Sequence, residues 1–159
     1  MKKILRLLTP VMLMLSLTLV GCEFKNKDEV ELSLNKLLEY KDSYVGDNSA
    51  VGNILSELNI LSELPLNESG NGFELKTDEK PYEITVSYNL KDDLKEEILE
   101  KNAVVLFALI KNVDIINFKI ENLDNKVYKY NKDELNEKYK VDFTKLSQDK
   151  ESLQKFLYN

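Results

Sequence analysis

Covalent chemistry needs a nucleophile, a proton acceptor or a metal, and this sequence is poor in all three. It contains no histidine and a single cysteine, Cys22. The first absence removes the commonest general base, pH switch and metal ligand. The second rules out an internal disulfide and a thiolate zinc site. Ser–His and Cys–His pairs are therefore impossible. A Ser–Lys dyad is formally open, but Ser33, Ser43, Ser49 and Ser87 sit in no nucleophile turn, and no Gly-x-Ser-x-Gly occurs. Gly70-Asn71-Gly72 lacks the lysine and the following helix of a phosphate loop. Asp42, Asp47 and Asn48 lack the alternating spacing of a calcium loop. Adjacent acids such as Asp92-Asp93 and Glu96-Glu97 are ordinary neighbours on a solvated helix face when the chain holds 28 Asp and Glu. The sequence thus predicts no enzyme, no catalytic residue, no metal site and no cofactor.

Cys22 is different, because its neighbours suit a defined reaction. Lys2, Lys3 and Arg6 form a positive start, Leu7 to Val20 is apolar but for Thr9, Pro10, Ser16 and Thr18, and Gly21 is a small residue before the thiol. That is the layout of a secretory signal peptide. The apolar stretch, about fourteen residues, is shorter than the roughly 20 that a membrane-spanning helix needs. Leu19-Val20-Gly21-Cys22 resembles the lipobox of bacterial lipoproteins. The resemblance implies that the Cys22 sulfur receives a diacylglycerol (palmitate-type chains), that residues 1–21 are removed, and that the chain is held on the extracytoplasmic face of a cell membrane. Two acyl chains at about 0.8 kcal/mol per buried methylene make a stable anchor where one is marginal.

Beyond the anchor, 23–29 is polar and aperiodic, and the expected organisation is a flexible lipidated tether over 22–33 with one domain over 34–159. Composition is globular, with 43% hydrophobic and 31% charged residues. Formal charge is −6; without Lys2, Lys3 and Arg6 the basic count falls from 22 to 19 against 28 acids, giving −9. So acidic a domain repels phosphate backbones, and nucleic acid is excluded as a partner. It is also kept off an anionic bilayer unless tethered.

The remaining elements follow from periodicity. Val30, Leu34, Leu37 and Leu38 predict a short helix over 30–40, and Val51, Ile54, Leu55, Leu58 and Leu61 predict a second, stopped by Pro65. Alternation over 73–77 and 82–88 predicts a hairpin, as does alternation over 113–121 followed by 126–130. Asp92 or Asp93 is expected to cap a long helix reaching about Lys111, whose all-apolar centre at 103–110 marks it as buried. Val104 to Phe107 reads alternatively as a strand. Asn131 with Glu134 resembles a capping box, and Thr144 or Ser147 is expected to open a last helix carrying Leu153, Phe156 and Leu157 inward. The expected fold class is α+β: a single domain with about four antiparallel strands in hairpins, packed against a long buried helix with flanking short helices.

One segment exceeds what the fold requires. Tyr40, Lys41, Tyr44, Gly46, Asp47 and Asn48 place two tyrosines and several polar groups around a glycine able to take positive φ. They form a candidate recognition loop. The plainer reading is a turn at Gly46, a helix cap at Asp47 or Asn48, and tyrosines covering the core.

The same segment carries a family resemblance. Tyr40-Lys41-x-Ser43-Tyr44-Val45-Gly46-Asp47-Asn48-Ser49, then Leu64-Pro65, Leu75-Lys76-Thr77, Pro81-Tyr82-x-Ile84-Thr85-Val86-x-Tyr88 and Leu106-Phe107-Ala108-Leu109-Ile110-Lys111-Asn112-Val113 resemble a Gram-positive domain of unknown function, number four-eight-two-five, over about 37–156. In that family the domain occurs on lipoproteins and attached to membrane sensor metalloproteases. The resemblance implies extracytoplasmic binding or sensing and assigns no catalytic residue. The expected partners are the membrane, through the lipid at Cys22, and an envelope protein or wall-derived ligand. An alternative role is an interaction or inhibitory partner of a membrane sensor or peptidase; an enzyme using carboxylates is the least favoured.

Overall fold

The computed structural model describes residues 27–92 and 94–159. The expected signal peptide (1–21), the lipidation site Cys22, residues 23–26 of the tether and Asp93 lie outside the described residues. Residues 27–33, read from sequence as tether, instead open the first helix, α1 (Lys27–Glu39). Asp28 and Glu29 favour its N-terminal dipole, and Leu34 and Leu37 are buried.

Asp47 accepts from the Ala50 N–H at 3.0 Å and caps α2 (Asn48–Leu61). This helix ends before Pro65, at the Ser62 cap, and Glu63 takes a left-handed φ of 51°. A hairpin of β1 (Gly72–Lys76) and β2 (Glu83–Tyr88) follows, then α3 (Glu96–Leu109), β3 (Ile115–Ile120) and β4 (Lys126–Asn131). The chain closes with α4 (Lys132–Tyr139), α5 (Phe143–Gln148) and α6 (Lys150–Tyr158).

The four strands form one sheet in the order β1-β2-β3-β4. Both hairpins are antiparallel, but the central pair β2–β3 is parallel, with Ile84 opposite Ile116 and Val86 opposite Phe118. The expectation of antiparallel hairpins on a buried helix holds for the outer pairs. The centre differs because α3 is a crossover that returns the chain in the same direction, as parallel neighbours require.

The inward face of the sheet carries Ile84, Val86, Tyr88, Ile116, Phe118, Ile120 and Tyr130, all buried. Tyr88 stacks on Phe118 with centroids 5.8 Å apart. Ala103 to Phe107 of α3 are buried on every side of the helix. It lies against the sheet while α5 and α6 cover it from outside. Fully burying each Leu, Val, Ile or Phe side chain contributes about 1.5–3 kcal/mol. α2 shares this layer: its Gly52 lies against the Phe73 ring, and its Asn59 accepts from the Tyr88 hydroxyl at 2.7 Å.

Two capping expectations change. The N-cap of α3 is Lys95, without a side-chain bond, rather than Asp92 or Asp93. The last helix is two helices, opened by Asp142 and Asp149, whose carboxylates accept from Lys145 N–H and Ser152 N–H. Asp ahead of each start outcompetes Thr144 and Ser147, which fall inside α5. The Asn131 cap stands as expected, accepting from Glu134 N–H at 3.0 Å. Among the described residues no helix is long and apolar enough to cross a membrane.

Candidate functional site

The loop at 40–48 is docked onto the exit of α3. Ser43 N–H donates to Leu109 O and Lys111 N–H to Ser43 O, a two-bond parallel bridge. Val45 is buried, and its N–H donates to Asn112 Oδ1 at 2.8 Å. Ser43 Oγ donates back to Tyr40 O, and Tyr40 packs half-buried against the core. The residue with positive φ is Asp42, at 67°, not Gly46. The turn is made at Asp42 because a short polar side chain tolerates the left-handed region.

The loop therefore has an inner side that packs and an outer side of Lys41, Tyr44, Gly46, Asp47 and Asn48, all exposed. On that outer side Lys111 Nζ lies 3.2 Å from Asp42 Oδ1 and 5.9 Å from the Tyr44 ring centre. Asp47 is committed to its cap.

Two features that sequence reasoning did not single out lie along α3. The first is a cavity of about 320 Å³ between the end of α2, the first half of α3 and α6. Ser62 Oγ donates to Asn102 Oδ1 at 2.5 Å at its base, and Asn102 is 1% exposed. Its Nδ2 has no partner. Turning the amide over exchanges the orphan donor for an orphan acceptor, so one buried polar atom is left in either orientation. Leu61, Ile98 and Leu157 supply apolar wall, and Lys95 and Glu97 stand at the rim.

The second is a groove of about 600 Å³ bounded by α3, α5, α6 and the end of α4. Lys101, Lys140, Lys145 and Lys155 line it against one acid side chain, Glu97, which pairs with Lys101 at 3.2 Å. Val141, Leu146 and Phe156 supply its apolar lining, and Tyr139 meets Phe156 edge to face at 5.6 Å. Beside it, Glu100 accepts from Lys138 Nζ at 2.6 Å and from the Tyr139 hydroxyl at 2.5 Å. Burial pushes the Glu100 carboxyl up, but these two donors outweigh it and hold the group below its ordinary value. Burial and the Glu100 carboxylate push the Tyr139 hydroxyl up, so it stays a donor.

Neither site contains a nucleophile paired with a base, and no group of three or more metal-ligating side chains occurs among the described residues. Glu57, the carboxylate buried among the described residues, pairs through Oε1 with Lys36 at 3.0 Å. The cavity could not be read from sequence, since Ser62 and Asn102 lie forty positions apart; the groove's lysines come from α3, α5, α6 and the C-cap of α4.

Comparison with protein families gives one result. The model of a domain of unknown function, DUF4825, matches residues 37–133, and the chain belongs to that family. The match begins in α1 and ends at the start of α4, short of the span to about 156 read from sequence. No curated protein and no solved structure matches the chain significantly.

Proposed function

We propose that this member of the DUF4825 family is a lipid-anchored accessory module on the extracytoplasmic face of a cell membrane, acting by binding or sensing. The observation that carries the reading is the position of Cys22, the only cysteine, directly after Leu19-Val20-Gly21 and five residues before α1. Five residues span at most about 18 Å, so a lipid on Cys22 keeps the folded domain next to the bilayer. The family resemblance supports the same setting, and the cavity and groove along α3 suit recognition.

A second reading, an interaction or inhibitory partner of a membrane sensor or peptidase, is favoured by the sheet. Among the described residues β1 and β4 each pair with one neighbour, which leaves two edges for strand addition.

The test is metabolic labelling with a fatty acid and fractionation of cells carrying wild type or Cys22→Ala. Wild type carries label and sediments with membranes, while the variant accumulates as precursor or is released. Unchanged labelling and retention of the variant would refute the anchor. Crosslinking and pull-down from intact cells, with wild type and Tyr44→Ala/Asp47→Ala, addresses the partner. Recovery of the same partners by the variant removes the 40–48 loop from recognition.

A further inference from the structure

We propose that the cavity between α2, α3 and α6 binds a small neutral molecule that joins a primary carboxamide to a branched apolar chain, with the carboxamide paired on Asn102. The proposal rests on the binding half of the reading above, not on the anchor. It starts from a buried polar atom that the fold leaves without a partner.

Asn102 lines the cavity and is 1% exposed. Its side chain has one bond, from Ser62 Oγ to Oδ1, and its Nδ2 has none. Buried polar atoms are nearly always paired, so an orphan beside a cavity marks a place where a ligand atom completes the bonding. Ser62 is only half-buried, at the C-cap of α2. Rotation of its short side chain breaks the one bond to Asn102 and opens the edge of the amide.

An incoming group must then supply an acceptor for Nδ2 and a donor for Oδ1, side by side. A primary carboxamide carries that pair on one edge. A carboxylate has no donor, and a trans peptide group holds its N–H and C=O on opposite edges. The match survives inversion of the Asn102 amide, since the ligand amide inverts with it.

The rest of the lining sets charge and size. Lys95 and Lys101 stand with Glu63 and Glu97, two bases against two acids, and Glu97 pairs with Lys101 at 3.2 Å. The lining thus has no net charge and selects no ion. Leu61, Ile98 and Leu157 give apolar wall to a branched chain. The volume of about 320 Å³ equals about ten waters at roughly 30 Å³ each. N-acetyl-leucinamide is of that size.

The test titrates N-acetyl-leucinamide into the full chain isolated from its cells in detergent, with asparagine side chains labelled with nitrogen-15. A dissociation constant of about 1 mM or tighter is expected. The Asn102 side-chain amide resonances, identified by their loss in Asn102→Leu, should shift on binding. N-acetyl-leucine, a carboxylate, and its dimethylamide, which lacks the donor, are expected to bind at least about tenfold more weakly. Ser62→Ala removes the group that must be displaced, so it should tighten N-acetyl-leucinamide severalfold. Ser62→Ala/Asn102→Leu, which has no amide to pair, should bind all three probes equally weakly.

Absence of binding, or equal affinity of wild type for the three probes, overturns the proposal. Unchanged affinity in the double variant also does, because binding is then elsewhere. So does weaker binding by Ser62→Ala, because the hydroxyl is then itself the contact. Should Ser62→Ala fail to fold, wild type and the double variant still decide. Failure of the anchoring reading is a separate result: Cys22 carries no acyl chains, and these affinities stay as they are.

Discussion

Asn112 Oδ1 accepts the N–H of Val45 at 2.8 Å, joining two segments 67 positions apart in sequence. With the Ser43–Ile110 bridge beside it, this bond holds the 40–48 loop against the end of α3. Asn112→Ala leaves the Val45 N–H unpaired beside a buried side chain, which costs about 1–3 kcal/mol. The expected result is a lower denaturant midpoint with faster hydrogen exchange at the Val45 amide. Asn112→Asp keeps an acceptor and should recover most of the loss. If Asn112→Ala leaves both observables unchanged, the loop is held by other contacts.

Gly52 lies in the middle of α2, where glycine costs about 1 kcal/mol relative to alanine. A Cβ there would meet the Phe73 ring at 3.4 Å, ordinary contact with a side chain on an edge strand. Gly52→Ala is therefore expected to stabilise by about 0.5–1 kcal/mol in equilibrium unfolding. A larger residue such as leucine at this position should destabilise instead, by pushing β1 from the helix layer.

Half-buried Ser62 donates to the buried Asn102, whose amide keeps one unsatisfied atom. Ser62→Ala removes the remaining partner and is expected to cost about 1–3 kcal/mol. Adding Asn102→Leu eliminates the orphaned amide, and the double variant should return close to wild-type stability or exceed it. A double variant no more stable than Ser62→Ala would show that the amide is satisfied in solution.

On the open face of the sheet, Asn117 Nδ2 donates to Glu83 Oε2 at 3.0 Å, and Lys76 Nζ lies 3.3 Å from Glu83 Oε1. The Asn117 bond, ahead of the Lys76 contacts, holds the Glu83 carboxyl below its ordinary value of 4.5. A carboxylate with a lowered folded-state pKa contributes stability above the unfolded value, lost as pH falls through the folded one. Asn117→Leu should therefore be less stable than wild type near neutral pH by about 1 kcal/mol. The gap should narrow as pH falls below 4.5 through the lowered value. A gap independent of pH would assign the loss to packing.

Much of the local structure was legible because it depends on neighbours in sequence. Asn131 ahead of Glu134 marked a helix start, and the alternation of Tyr82, Ile84, Val86 and Tyr88 marked a strand with one buried face. The continuous apolar centre of α3 marked a helix buried all round. The failures share a cause. Asp92 and Asp93 were favoured as caps by residue type, but α3 begins only at Glu96, with Lys95 in the N-cap position. Helix α1 starts at Lys27, ahead of the apolar period that begins at Val30; Lys27, Asp28 and Glu29 are exposed and carry no apolar spacing to mark them as helical.

The sequence alone determined the lipobox-like pattern before Cys22, the acidic balance, most of the helices and strands and the lack of histidine-based chemistry, since each is a matter of residue type and short spacing. The fold decided the rest. The parallel pairing of β2 with β3, the Val45–Asn112 bond, the orphaned Asn102 amide and the gathering of four lysines into one groove all join positions far apart in the chain. Such contacts depend on how layers pack, and packing is a property of the whole domain that no local pattern encodes.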